Sequence, residues 1–124
     1  MQYLLLIHDD EKAWSSLSAE DKAAVYQEYG ALTSALRESG AYVGGNQLQP
    51  TSSAATVRVR ESEPVVTDGP FAETKEQLGG YYLIEADSLD EALDWAAKIP
   101  SARVGGAIEV RPVVPSRVEA EAAG

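Results

Sequence analysis

Gln2-Tyr3-Leu4-Leu5-Leu6-Ile7-His8 is the stretch on which the fold turns. It is of strand length and apolar at nearly every position rather than at every second one, the pattern of a strand covered on both faces. A central strand is expected here, in a sheet whose two faces both need a cover. The apolar start, Met1 to Ile7, lacks a basic leader segment and is followed at once by His8, Asp9, Asp10 and Glu11. It therefore reads as neither a secretory signal nor a membrane span, and the expected location is the cytoplasm.

Downstream, Asp9 to Leu17 is polar and helix-poor. Ser18, with Asp21 three residues later, resembles a capping box in which Asp replaces the usual Glu, so a long helix should start there. Val25, Tyr29, Leu32 and Leu36 recur at spacings of four, three and four and form one stripe, and Gly40 supplies a left-handed stop. Ala41 to Leu48 reads as a second strand with a bulge or close backbone approach at Gly44-Gly45. Thr56 to Arg60 alternates, and Pro64 to Thr67 returns after Glu61-Ser62-Glu63, giving a hairpin expected at a sheet edge, where its arginines and proline deter stray pairing. Gly79 to Glu85 is a further strand. Ser88 and Glu91 form a capping box for a second helix with Leu89, Ala92, Leu93, Ala96 and Ile99 inward, ended by Pro100. Ala107 to Val114 is the last strand, and the residues after Pro115 carry no partner pattern and are expected to fray. The domain is thus expected over 1–114, with a tail over 115–124.

Strand, helix, strand, hairpin, strand, helix, strand is two βαβ halves with an inserted hairpin. Right-handed crossovers place both helices on one face of an antiparallel sheet, a ferredoxin-like α+β arrangement. Two helices cover one face only, yet the first strand is apolar on both, and the strand from Gly80 sets Tyr81 and Leu83 opposite Tyr82 and Ile84. A bare face of that kind exceeds the few hundred Å² that monomers usually expose, so a homodimer through the sheet is expected, closing a shared α/β-barrel.

Composition narrows the function classes. The chain has 124 residues, enough for one core, and no cysteine, which removes disulfides, iron–sulfur clusters and thiolate chemistry. Twenty acidic against ten basic side chains give a charge of −10, which repels phosphate backbones, so direct nucleic-acid binding is not expected. Arg58, Arg60, Arg103, Arg111 and Arg117 are scattered and read as solvated surface rather than an anion patch. Gly44-Gly45, Gly79-Gly80 and Gly105-Gly106 are pairs beside strands, not phosphate-binding loops. One histidine and no ligand spacing point to no metal, and no cofactor is expected.

Val66-Thr67-Asp68-Gly69-Pro70-Phe71-Ala72-Glu73-Thr74-Lys75-Glu76-Gln77-Leu78-Gly79-Gly80-Tyr81 joins the hairpin to the next strand. This segment closely resembles the DGPF motif of the YCII-related family, and the resemblance runs from the opening strand through Pro112. It implies a dimeric α/β-barrel of ferredoxin-like subunits and no single activity. Better-understood YCII-like proteins pair a histidine on the first helix with an aspartate before a proline near the end of the second. The matching places here hold Glu28 and Ile99, so the resemblance does not carry that dyad over. It also implies, for some members, a link to sigma-factor-dependent transcription.

The candidate catalytic residues are His8, Asp68 and Glu73. An imidazole titrates near neutrality and serves as acid or base when a carboxylate orients it, and one of Asp68, Glu73 or Glu109 could supply that partner. The bland readings are a strand-end histidine on backbone, an Asp-Gly turn bonding its own chain, and a solvated loop. Candidate ligand-binding residues are Lys75, Tyr81, Glu109 and Arg111. Glu109 and Arg111 share a strand face that would point into the barrel as charges needing partners, with Tyr81 on the neighbouring strand in reach. Two functions are expected to compete: a cofactor-free acid–base enzyme acting on a small metabolite in the barrel, and a non-catalytic ligand-binding or regulatory protein. Convergence of His8, Asp68, Glu73, Glu109 and Arg111 in one concave pocket favours the first, and dispersal favours the regulatory reading.

Overall fold

The computed structural model describes residues 1–115. Strand β1 (Gln2–Asp9) leads into a short helix α1 (Glu11–Ser15) and the long helix α2 (Ala19–Glu38). Then follow β2 (Tyr42–Gln47), β3 (Ala55–Arg60), β4 (Glu63–Asp68), β5 (Gln77–Glu85), α3 (Leu89–Ala97) and β6 (Ala107–Pro112), with single 3-10 turns at Thr51–Ser53 and Pro100–Ala102. Four strands form one antiparallel sheet in the order β2-β5-β1-β6. The apolar first strand is central, as expected, with Leu5 opposite Tyr82 on one side and Val110 on the other. This order, with the helices packed on one face, is the ferredoxin-like α+β arrangement.

Local chemistry fixes the helix ends. The Ser18 hydroxyl accepts the Asp21 N–H at 3.0 Å and opens α2, which ends before Gly40 at φ +80°. The Ser88 hydroxyl accepts the Glu91 N–H at 3.2 Å, while the Glu91 carboxylate reaches one residue further back, to the Asp87 N–H at 2.9 Å. The core lies between sheet and helices. Tyr3, Leu5 and Ile7 of β1, Tyr82 and Ile84 of β5, Leu32 and Leu36 of α2, Ala92 and Ala96 of α3 and Ile99 bury one another. Each fully buried leucine or isoleucine contributes about 1.5–3 kcal/mol relative to exposure.

Three expectations give way. Asp9 to Leu17 is not helix-poor, because Asp10 caps α1, its carboxylate accepting the N–H groups of Lys12 and Ala13 at 3.0 and 3.2 Å. Five residues are too few to display a periodic stripe, so only the cap could have announced the helix. In α3, Leu89 and Leu93 face outward, 47% and 46% exposed, and Ala92, Ala96 and Ile99 face inward. Both sets satisfy helical spacing, and the small alanines let the helix lie close on the sheet. The hairpin, finally, is not an edge of the main sheet: β3 and β4 pair only with each other as a separate two-stranded sheet. Its alternation is real, but Val57 and Val59 are 63% and 70% exposed.

The second sheet face carries no helix. Burial along β1 alternates, with Tyr3, Leu5 and Ile7 buried and Leu4, Leu6 and His8 half-buried on the opposite side. Tyr81 and Leu83 of β5 and Glu109 and Arg111 of β6 share that side by register. The tail expected to fray, beginning at Ser116 and including Arg117, lies outside the described residues.

Candidate functional site

A cavity of about 360 Å³ opens between α2 and the sheet, at the end where β2 forms the edge. It forms there because β1 ends at Asp9, still paired with Gln77, α1 follows at once and supplies Glu11 and Trp14 to the lining, and α2 contributes one face. Tyr26, Tyr29 and Thr33, spaced three and four, lie on one side of α2 and all line the cavity. Trp14 of α1 meets Tyr26 edge to face, with ring centres 5.5 Å apart and planes at 87°. Tyr42 and Tyr82 stand on the sheet side. The mouth is framed by Gln47, whose amide donates to the Tyr26 hydroxyl at 3.2 Å, and by Pro50.

Hydroxyl pairs fix the walls. The Tyr29 hydroxyl and Ser101 Oγ lie 2.5 Å apart, joining α2 to the turn after α3, and the Tyr82 hydroxyl lies 2.8 Å from Thr33 Oγ1. Burial pushes the Tyr29 phenol from an ordinary 10.0 up to about 12, against the opposing effect of its bond to Ser101. Burial likewise raises the Tyr82 phenol. Both phenols therefore stay protonated and able to donate throughout the neutral range.

Asp9 and Glu11 are the charged residues of the lining. The Glu11 carboxylate is engaged, accepting the Thr51 N–H at 2.9 Å and the Thr51 hydroxyl at 2.8 Å, which ties α1 to the loop after β2. The half-buried Asp9 carboxylate has no hydrogen-bond or ion-pair partner among the described residues. It lies over Gly79, where an added Cβ would stand 2.5 Å from Asp9 Oδ2. A side chain at position 79 would therefore displace this carboxylate from where it stands. Among the described residues no cluster of three or more His, Asp or Glu side chains could hold a metal ion.

The residues singled out in the sequence fall into two groups, neither inside this cavity except Tyr81. His8, Glu109 and Arg111 meet on the open sheet face: His8 Nε2 lies 3.4 Å from Glu109 Oε1, and Arg111 Nε donates to Glu109 Oε2 at 3.0 Å. The Arg111 guanidinium, with a smaller contribution from His8, holds the Glu109 carboxyl below its usual 4.5. Tyr81 stands in the same row by register, but its hydroxyl bonds Asn46 at 3.0 Å. Asp68 ends β4, and Glu73 and Lys75 lie in the exposed loop beyond, apart from the other candidates. Glu28 pairs with Arg103 instead of forming a dyad, and Ile99 is fully buried. Sequence reading assigned Tyr29 to the core and passed over Asp9, Trp14, Tyr26 and Thr33. The signal available was three hydroxyl-bearing side chains at helical spacing, which a purely apolar stripe does not require.

A ferredoxin-like sheet with one helical face and an open cavity between the layers defines a small α+β domain. The sequence matches the YCII-related domain over residues 1–117, and the chain belongs to the YCII-related family. It is similar to a protein of Rhizobium meliloti (strain 1021), itself called uncharacterised, with 44% identity over 114 residues covering 91% of this chain and 92% of that protein. Among the described residues no helix is long and apolar enough to cross a membrane.

Proposed function

We propose that this chain binds a small organic molecule in the cavity between α2 and the sheet. One observation carries the reading: a half-buried, unpartnered Asp9 carboxylate stands in a chamber walled by Trp14, Tyr26, Tyr29, Tyr42 and Tyr82. The volume lies within the range of about 300–1,000 Å³ usual for small-molecule sites, and the few convergent polar groups among aromatic walls fit the same class. The Asp68 to Lys75 loop is then a surface segment, and the regulatory alternative, including a sigma-factor link, would act through it. The Asp68-Gly69-Pro70-Phe71 run supports placing the chain in the DGPF subgroup, and a cytoplasmic setting suits its acidic, cysteine-free composition.

A cofactor-free acid–base enzyme is the second reading, and Asp9 favours it. A carboxylate with no competing partner is free to take a proton, and the Tyr29–Ser101 hydroxyl pair keeps one proton to donate to an oxygen gaining charge, whereas Thr33 donates to the Tyr29 carbonyl and so takes the Tyr82 proton. On that reading the base is Asp9 rather than His8, Asp68 or Glu73, and Asp9→Asn lowers kcat by about 10²–10⁴ on a substrate it still binds. The test of the main reading is a thermal-shift screen of neutral, cationic and anionic fragments against wild type and Gln47→Trp, which fills the cavity mouth from an exposed position. Compounds that stabilise wild type should not stabilise the variant. Equal stabilisation of both would move the site elsewhere.

A further inference from the structure

We infer that the ligand of this cavity carries a positively charged nitrogen, an organic ammonium ion held by the Asp9 carboxylate and the aromatic rings around it. The inference rests on the cavity being the binding site and concerns the chemistry it selects.

Three observations support it. The lining contains two carboxylates and no lysine, arginine or histidine, so an anionic ligand would enter with no counter-charge. One of those carboxylates, Glu11, is already satisfied by two bonds from Thr51, which leaves Asp9 as the group whose charge calls for a partner. Aromatic side chains line the same cavity, and ring faces attract cations through the ring quadrupole, more strongly when water is excluded. Arg37, outside the lining, already lies over the Tyr42 ring at 4.5 Å, so Trp14, Tyr26, Tyr29 and Tyr82 are the wall rings left for a ligand cation. The net charge of −10 further raises the local concentration of cations.

Nearby alternatives select less well. A neutral aromatic molecule would fit the walls but leave Asp9 unpaired and partly desolvated, at a cost that a cation removes. An inorganic cation would find one free carboxylate where hard ions usually take six or more oxygens.

Calorimetric titration of wild type, Asp9→Asn and Tyr26→Leu tests the inference. The probes are choline and benzyltrimethylammonium, each paired with its uncharged isostere in which a tert-butyl group replaces trimethylammonium. Both substitutions are at partly exposed positions, and folding of each variant is checked by circular dichroism. At least one cation should bind wild type about tenfold more tightly than its neutral isostere, and each variant should lose several-fold to about tenfold for the cation while the isostere is unaffected. Isosteres that bind as well as the cations would overturn the charge inference and leave the cavity as a binding site. Failure of all four probes at about 10 mM would overturn the inference. Fragment hits that Gln47→Trp abolishes would then still uphold the cavity, whereas hits it leaves unchanged would remove the cavity itself.

Discussion

Tyr29 shows how one side chain of the α2 stripe serves both the core and the cavity. Its ring packs against the buried cluster while its hydroxyl holds Ser101, itself only 7% exposed, at 2.5 Å. Tyr29→Phe keeps the ring and strands the Ser101 hydroxyl, so a loss of about 1–2 kcal/mol is expected in urea unfolding. The phenol also sets an alkaline limit. Its pKa in the folded chain is raised from 10.0 to about 12, so the stabilisation it gives is fully present below pH 10.0 and is lost as pH rises through about 12. In Tyr29→Phe the fall in stability across that window should be shallower, and the last-ionising component of the tyrosine absorbance titration should be missing. An unchanged titration would show that another phenol is the buried one. From sequence, the position of Tyr29 was legible and its hydroxyl's partner was not, because Ser101 lies 72 residues away and only the packing of α2 on the turn after α3 joins them.

At the scale of elements, what could be read tracks how much of each signal is local. Ser18 with Asp21 and Gly40 bound α2 by contacts within four residues, and the structure repeats them. The α3 face was not local: Leu89 and Leu93 or Ala92 and Ala96 give equally good periods, and the close approach of the helix to the sheet chose the smaller pair. The β3–β4 hairpin was legible as a pair and misplaced as an edge, since strand alternation says nothing about what a strand lies against. Its turn is strained, with Glu61 at φ +50° and Ser62 at φ +67° between Arg60 and Glu63, which pair. Ser62→Gly should stabilise the hairpin by about 1 kcal/mol, because glycine adopts this backbone without steric cost. Amide exchange is the suitable measurement, since the hairpin opens separately from the main sheet: protection across β3 and β4 should rise about fivefold. Unchanged protection would mean that the turn does not limit the hairpin.

For the whole molecule, the four-stranded sheet covers itself on one side only. Leu4 and Leu6 of β1 and Tyr81 and Leu83 of β5 lie on the side away from the helices. We propose that a second copy covers this face, as the continuous apolar run of β1 first suggested. Light scattering should give twice the 13.2 kDa chain mass, and Leu6→Glu, which sets a carboxylate beside Glu109, should shift it to one chain. A single-chain mass for wild type at micromolar concentration would rule the homodimer out. The fold was legible because the long helices left capping and periodic traces and the main strands left apolar runs of strand length, and the topology then followed from right-handed crossovers. The cavity was not, since it is assembled from Asp9, Trp14, Tyr29, Tyr82 and Ser101, which come from separate elements and carry no motif. The most direct test of the cavity as the binding site is amide chemical-shift mapping with a fragment that stabilises the wild type. Saturable shifts are expected to centre on Asp9, Thr33, Gly45, Gly80 and Ser101, with Asp68, Glu73 and Lys75 unmoved. Saturable shifts centred on the Asp68 to Lys75 loop, with the cavity amides unmoved, would contradict the account.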